Sequence, residues 1–265
     1  MQPERHQSGR VLLVGAGPGP SDLLTVRALR AIEGAGALLY DALVDETVVA
    51  LAPAGCVRIQ TRKRAGAASM PQETISRLML RLARRGLTVV RLKGGDPSVF
   101  GRSGEEAEHL RAHGVPVEIV PGVTAACAAA AQFGFPLTHR GAARRLVFAT
   151  ARTADGEVTG DGWPTAADPG ATLALYMARD SLGPVARRLI AEGRAPTTPA
   201  AAVENAGAAH ARLWTGTLAT LPDLLAQAAP TGPVMIVVGE VAALGGAGSS
   251  QVFEDQAYRP ARSRG

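Results

Sequence analysis

Three observations predict an α/β protein of two domains with mostly parallel sheets. Short apolar runs of strand length alternate with segments of helical period along the chain. Apolar residues make up 46% of the 265, enough for more than one core, yet no uninterrupted apolar stretch reaches membrane-spanning length. Glycine-rich turns follow the apolar runs that end at Val14 and Leu92, the places where an open parallel sheet presents its carboxyl ends to ligands.

The elements justify that class in order. Val11 to Val14 is a buried-strand pattern ending in Gly15. Residues 22–33 carry Leu23, Leu24, Ala28, Leu29 and Ile32 at helical spacing. Leu38 to Tyr40 is a second strand, ending at Asp41. Pro71 opens a helix with Ile75, Leu78, Met79 and Leu82 on one face and Gly86 just past its end. The run 87–92 is a strand, followed by a helix from Gly104 to about His113. Val117 to Val120 is a strand and Thr124 to Gln132 an Ala-rich helix. In the second half, Leu146 to Ala149, Leu173 to Met177, Ala200 to Val203, Arg212 to Leu218 and Val234 to Val238 read as strands. Val185 to Ala191 and Leu221 to Ala228 read as helices. Residues 151–170, rich in Asp, Gly, Thr and Pro, read as a loop. The expected division is 9–138 and 139–243, with 244–265 a Gly/Ser/Arg-rich disordered tail.

Composition narrows the function classes. Lys plus Arg number 28 against 23 acids, a net charge of +5 spread over pairs such as Arg84-Arg85 and Arg187-Arg188. Aromatics are 4% and none interleave with these pairs, so the stacking platform of a nucleic-acid binder is missing. Nucleic acid is one explanation of the excess and a small polycarboxylate fits it equally well; charge alone does not choose. Cys56 and Cys127 form no CxxC pair, and the polar start Met1–Arg10 lacks the apolar centre of a signal peptide; both suit a cytoplasmic protein. His109 and His113 have zinc-pair spacing, but HExxH fails at Leu110. That helix also carries Glu105, Glu106, Glu108 and Arg111, which read as a solvated face; no metal is expected. No G-x-S-x-G elbow appears, so covalent hydrolysis is unsupported.

Two loops carry the chemistry. Gly15-Ala16-Gly17-Pro18-Gly19-Pro20 lies between a strand and a helix, as a dinucleotide fingerprint would. Pro20 stands at the sixth position, though, and Pro18 has no N–H for a pyrophosphate, so a turn that lets a ligand approach bare backbone fits better. Gly94-Gly95-Asp96-Pro97 follows the 87–92 strand. Its glycines permit close approach, and Asp96 places a carboxylate at the strand's carboxyl end.

These segments occur in a longer series: Leu-Tyr-Asp at 39–41, Lys-Arg-Ala-Gly at 63–66, Arg-Leu-Lys-Gly-Gly-Asp-Pro at 91–97 and Phe-Gly-Arg at 100–102. Pro-Gly-Val-Thr-Ala at 121–125, Pro-Leu-Thr-His-Arg-Gly at 136–141, Tyr-Met at 176–177 and Val-Glu-Asn at 203–205 continue it. The series resembles the uroporphyrinogen-III C-methyltransferases of the tetrapyrrole methylase family over about residues 10–242.

The resemblance implies S-adenosylmethionine-dependent methylation of two ring carbons of uroporphyrinogen III to give precorrin-2, on the route to cobalamin or sirohaem. It implies two αβα domains with the active site in the inter-domain cleft, and a homodimer. Later steps would fall to separate proteins. Carried over position by position, cofactor contacts fall on Pro18, Gly94, Gly95, Asp96, Val99, Thr124, Ala125, Met177 and Ala206. The base and proton donor fall on Asp41 and Lys63, and substrate carboxylates on Arg64, His139 and Arg140, with Arg102 a weaker candidate. The alternatives are a methyltransferase of the same fold acting on a later corrin precursor, on RNA or on a protein side chain. The chain departs from the family pattern at Ala42, where an arginine follows the acid, and at Ser98, Ser103, Ala178 and Ala206. Ala42 removes a candidate for binding a substrate carboxylate or for orienting Asp41.

Overall fold

A computed structural model describes residues 9–61, 70–151 and 168–246. Within these the chain forms two compact units that divide between Thr124 and Ala125.

The first unit holds a five-stranded sheet in the order β3-β2-β4-β1-β5, every pairing parallel. Its strands are β1 (Arg10–Gly15), β2 (Ala37–Tyr40), β3 (Val57–Gln60), β4 (Thr88–Lys93) and β5 (Val117–Val120). Strand alternation sorts the side chains onto two faces. Leu12, Val14, Leu38, Val90 and Leu92 pack on one face with Ala28 and Ile32 of α1 (Val26–Glu33) and Val48 of α2 (Glu46–Ala50). Val11, Leu13, Leu39 and Val89 pack on the other with Ile75, Met79 and Leu82 of α3 (Gln72–Ala83) and Ala107 and Leu110 of α4 (Ser103–Ala112).

Local chemistry sets the ends. The helical pattern expected over 22–33 is split: a single 3-10 turn at Ser21–Leu23 precedes α1. Thr25 caps α1 by accepting from the Ala28 N–H at 3.1 Å, and its hydroxyl donates to the Pro121 carbonyl. Pro71 precedes α3, and Gly86 takes a positive φ of 83° beyond its end. Two elements, α2 and β3, are absent from the sequence-based expectation. The first is five residues long, and the second is a largely exposed edge strand without an apolar run.

The second unit holds β6 (Arg145–Thr150), β7 (Ala171–Tyr176), β10 (Val234–Val238), β8 (Pro199–Glu204) and β9 (Arg212–Thr217), in that spatial order. Here the expected mostly parallel pattern fails. Only β6–β7 is parallel; β7–β10, β10–β8 and β8–β9 are antiparallel. The short 205–211 connection turns the chain straight back, which only antiparallel pairing allows. Strand β10 then inserts between β7 and β8. One face of this sheet packs on α6 (Leu182–Ala191) and α7 (Leu221–Ala228) through Leu173, Leu175, Ile236, Leu189 and Leu225. Helix α5 (Ala125–Phe133), expected with the first domain, packs against β10 and belongs to this unit. Past β10, residues 240–244 form a 3-10 turn; of the expected 244–265 tail, the residues beyond Gly246 lie outside the described residues. No helix among the described residues is long and apolar enough to cross a membrane.

Candidate active site

Parallel pairing places the carboxyl ends of β1, β2, β4 and β5 at one edge of the first sheet. Four predicted segments therefore meet there: the Gly15–Pro20 turn, Asp41, the Gly94–Pro97 loop and the Pro121–Thr124 loop. They meet through bare backbone. Gly17 and Gly95 form an antiparallel bridge, with Gly95 N donating to Gly17 O at 2.7 Å. A Cβ on Gly122 would lie 2.3 Å from the Gly95 carbonyl oxygen, and one on Gly15 would lie 2.6 Å from Gly122 Cα. Glycine is thus required at 15 and 122 by close approach, not by dihedral angle. A Cβ at Gly19 would meet nothing within 4 Å, and one at Gly94 only Leu43 at 3.6 Å, so the outer backbone of both turns is open.

Asp96 ties two of these loops together. Its Oδ1 accepts from the Ser98 N–H at 2.7 Å and its Oδ2 from the Gly122 N–H at 2.9 Å. Beyond it, Phe100 and Arg102 take left-handed angles of 53° and 55°. Arg102 grips Glu105 through two bonds of 2.9 and 2.7 Å. In the second unit, Met177 and Asn205 take φ of 54° and 53° immediately after β7 and β8, whose ends share one edge of that sheet. Among the described residues only Ala229, closing α7, is another non-glycine with positive φ. Left-handed backbone costs a side-chain-bearing residue about 1–2 kcal/mol and gathers at functional loops. Met177 is also exposed, at 52%, whereas Ala206 is buried.

The same alternation that builds the α3/α4 face carries polar side chains at its carboxyl end. Arg91 and Lys93 follow Val89, Asp41 follows Leu39, and Thr61 follows Ile59, all at spacing two. These residues form a connected cluster with Glu106 of α4 and Gln72 of α3. Arg91 Nη2 donates to Asp41 Oδ1 at 2.6 Å, and Thr61 Oγ1 is 2.8 Å from the same oxygen. Arg91 Nε lies 3.4 Å from Glu106 Oε1, which also accepts from Gln72 Nε2 at 2.6 Å. Lys93 Nζ donates to Glu106 Oε2 at 2.8 Å. Glu106 is fully buried, Arg91 and Lys93 nearly so. Burial pulls the Lys93 ammonium below the ordinary lysine range, against the pull of Glu106. Glu106 corrects the sequence reading, which put it on the solvated face. Its spacing of four from Leu110 and three from Ser103, both buried, was the available signal.

Other predicted residues have local settings of their own or lie outside the described residues. His139 and Arg140 sit exposed in a turn closed by His139–Ala143 backbone bonds, around Gly141 at φ 90°. That turn adjoins a cavity of about 590 Å³ lined by Arg144, Arg145 and Asp168. Thr124 and Ala125 straddle the division of the units. Val99 closes the Asp96 turn through its N–H, bonded to the Asp96 carbonyl at 3.1 Å. Lys63 and Arg64 lie outside the described residues, as does most of the 151–170 loop. His109 and His113 stack at 4.6 Å, and among the described residues no group of three His, Cys, Asp or Glu side chains could hold a metal.

Comparison with known proteins decides the family. The model of the tetrapyrrole (corrin/porphyrin) methylases matches residues 10–222. The chain belongs to that family. As a methylase it is 46% identical, over 90% of its length, to siroheme synthase of Pseudomonas putida, and 45% identical over 89% to that of Pseudomonas aeruginosa. It spans about half, 51%, of each of those relatives. Among solved structures, uroporphyrin-III C-methyltransferase of Thermus thermophilus in complex with S-adenosylhomocysteine superposes with a TM-score of 0.75. That pair is 41% identical and covers 88% of this chain and 98% of that one. A cobalt precorrin-4 methyltransferase superposes with a TM-score of 0.80 at 28% identity, covering 91% and 99%. The methylase fold thus accounts for both units, including the antiparallel second sheet.

Proposed function

We propose that this methylase transfers methyl groups from S-adenosylmethionine to two ring carbons of uroporphyrinogen III, giving precorrin-2. The carrying observation is the shared sheet edge where open glycine backbone at 19 and 94 lies with the anchored carboxylate of Asp41. The residues suit this cofactor. It has no phosphate, so Pro18 loses nothing by lacking an N–H, and small residues leave room for an adenosyl group against backbone. When bound, it supplies an electrophilic methyl on a sulfonium.

The proposed cofactor contacts are Pro18, Gly94, Gly95, Asp96, Val99, Thr124, Ala125, Met177 and Ala206. Asp96 acts chiefly by holding the Gly94–Gly95 backbone against Gly122, since both its oxygens already accept N–H groups. Met177 offers an exposed, polarizable apolar contact. Positioning does most of the work: the ring carbon must meet the methyl in line with its leaving group, and such orientation is worth about 7–11 kcal/mol in favourable cases. After transfer the macrocycle carries an extra positive charge and gives up a proton, which Asp41 accepts; Lys63 is the proposed donor. The eight carboxylates of the substrate suit Arg64, His139 and Arg140, the latter two exposed and able to pair with them.

The names of the relatives support this substrate, and the 41% identity to a uroporphyrin-III enzyme exceeds the 28% to the precorrin-4 enzyme. The higher TM-score of the latter keeps a later corrin precursor as the second reading. Purified protein supplied with S-adenosylmethionine and anaerobically generated uroporphyrinogen III is expected to yield a dimethylated product with the chromophore of precorrin-2 on oxidation. Methylation of a later corrin, of RNA or of protein in its place would reject the proposal.

A further inference from the structure

The family pattern has an arginine after the strand-end acid where this chain has Ala42, which would leave Asp41 without an orienting cation. The cluster at the α3/α4 face supplies one from elsewhere. Asp41 Oδ1 takes Arg91 Nη2 at 2.6 Å and lies 2.8 Å from Thr61 Oγ1, while among the described residues Oδ2 takes no hydrogen bond. One oxygen is anchored and the other is presented, on a side chain 23% exposed. Arg91 itself cannot swing. Its side chain is 3% exposed, and its remaining nitrogens reach Glu106, Thr61 and the Leu92 carbonyl.

Charge explains why the arrangement is tolerable. Arg91 and Lys93 project from one face of β4 two residues apart, and two bare cations there would repel. Glu106 touches both, through Oε1 and Oε2 respectively. The cluster therefore alternates in sign from Asp41 through Arg91 and Glu106 to Lys93, and sums to zero. Buried charges persist only when paired in this way.

We propose that Arg91, braced by Glu106 and assisted by Thr61, is the positioning residue that fixes Asp41 for proton removal in a chain that has no arginine at position 42. The inference rests on the reading of Asp41 as base. In the step it serves, the methyl–sulfur bond breaks with its pair going to sulfur, and a ring π pair forms the new carbon–methyl bond. A macrocycle proton then passes to the free Asp41 oxygen, and its bonding pair returns to the ring.

The test is a double-mutant cycle on the full chain, comparing Asp41→Asn, Arg91→Lys and the pair, with kcat and KM for methyl transfer and calorimetric affinity for S-adenosylhomocysteine. Asp41→Asn is expected to lower kcat about 100-fold or more, the scale of a general base. Arg91→Lys is expected to lower kcat about tenfold, with KM and S-adenosylhomocysteine affinity within about twofold, because a point ammonium cannot reproduce the guanidinium fork. In the Asp41→Asn background it should add less than about twofold. Multiplying effects, or a loss residing in KM or cofactor affinity, would overturn the positioning role while leaving Asp41 as base. An unimpaired Asp41→Asn enzyme would reject the base reading itself, and the inference with it. If Arg91→Lys does not fold, Thr61→Val carries the test: it should lower kcat about tenfold, and Thr61→Ser should restore it. Equal rates for the two Thr61 variants would overturn the proposal.

Discussion

Replacing Gly122 by alanine tests whether the first unit's loops are held by backbone contact. The new Cβ would lie 2.3 Å from Gly95 O and 2.8 Å from Gly15 Cα, against 3.4 Å for the onset of ordinary contact. The shortfall to Gly95 exceeds 1 Å, and both neighbours are main chain, so no side chain can rotate away. Overpacking of this kind costs about 1–3 kcal/mol, and rigid neighbours put this case near the top of that range. For a chain of this size each kcal/mol lowers Tm by about 2–4 °C, so a fall of about 6–12 °C is expected. Relief requires the Pro121–Thr124 loop to back away from Gly95. That movement also stretches the 2.9 Å bond from Gly122 N to Asp96 and drags the Gly94–Asp96 backbone. Differential scanning fluorimetry reads the first effect and titration calorimetry with S-adenosylhomocysteine the second, where a loss of about 10- to 100-fold in affinity is expected. Gly19→Ala is the control, since its Cβ meets nothing within 4 Å; Tm should move by less than about 2 °C. A Gly122→Ala protein that matches the wild type in both Tm and affinity would refute the close-approach reasoning.

Other perturbations separate holding residues from touching ones. Asp96→Asn leaves one acceptor oxygen for the two N–H groups of Ser98 and Gly122; a loss of about 1.5–3 kcal/mol in chemical denaturation is expected, and none would show that the two bonds do not hold the loops. Arg194, buried in the second unit, donates to the carbonyls of Asp168 and Ala171 at 2.6 and 2.8 Å. Arg194→Met abandons both carbonyls and should cost about 2–4 kcal/mol with no change in S-adenosylhomocysteine affinity; an equally stable variant would show that the cation's own desolvation cancels its bonds. For Glu204, burial works to raise the carboxyl, but the Gly232 N–H and Arg212 outweigh it and hold it below the ordinary value of 4.5. A depressed carboxyl stabilises fully above its unfolded value and loses that contribution as pH falls through the lower folded value. Wild type and Glu204→Gln should therefore differ in Tm at pH 7 and converge in strong acid; a constant gap down to pH 2 would contradict the assignment.

Most of the first sheet was readable because its central strands are buried on both faces and so appear as apolar runs: Val11–Val14 and Leu38–Tyr40 lie within their strands. Val117–Val120 also matches its strand, although β5 is a partly exposed edge that carries Glu118. The edge strand β3 has no such run, and α2 is a single capped turn whose signal is Asp45 alone. The antiparallel second sheet escaped because strand–helix alternation predicts element order, and β10 inserts out of order between β7 and β8. For the site, glycines at 15, 94, 95 and 122 were legible as turn residues. That Gly15 and Gly122 are packed shut while Gly94 lies open is a matter of tertiary contact that no spacing encodes. The charged cluster did leave a trace, since Arg91 and Lys93 interrupt a strand otherwise built for burial. Glu106, one of three acids within four residues, is distinguishable from its neighbours only by counting back from Leu110.

The departures from the family pattern also change meaning once located. The Ala178 methyl belongs to the hydrophobic core of the second unit, packed with Leu182 and Leu175, so it follows a core requirement rather than a ligand. Ser98 contributes its backbone N–H to Asp96, a bond that any non-proline residue could make, which explains how a serine can stand in for an aromatic there. Ser103 is buried at the first turn of α4, three residues before Glu106 and on the same helical face. Ala42 alone removes a charge. Its consequence depends on whether Asp41 needs a neighbour in sequence or a neighbour in space. Strand β4 lies beside β2 in register, Leu39 opposite Arg91, so a cation two strand positions short of the acid reaches it across the sheet. Position 42 lies in the turn that follows β2, closed by the Val44 N–H on the Asp41 carbonyl, so no strand pairing would fix an arginine there. A cation at 91 is the only one of the two that the sheet's own geometry braces, and this is why the loss at 42 need not disarm Asp41.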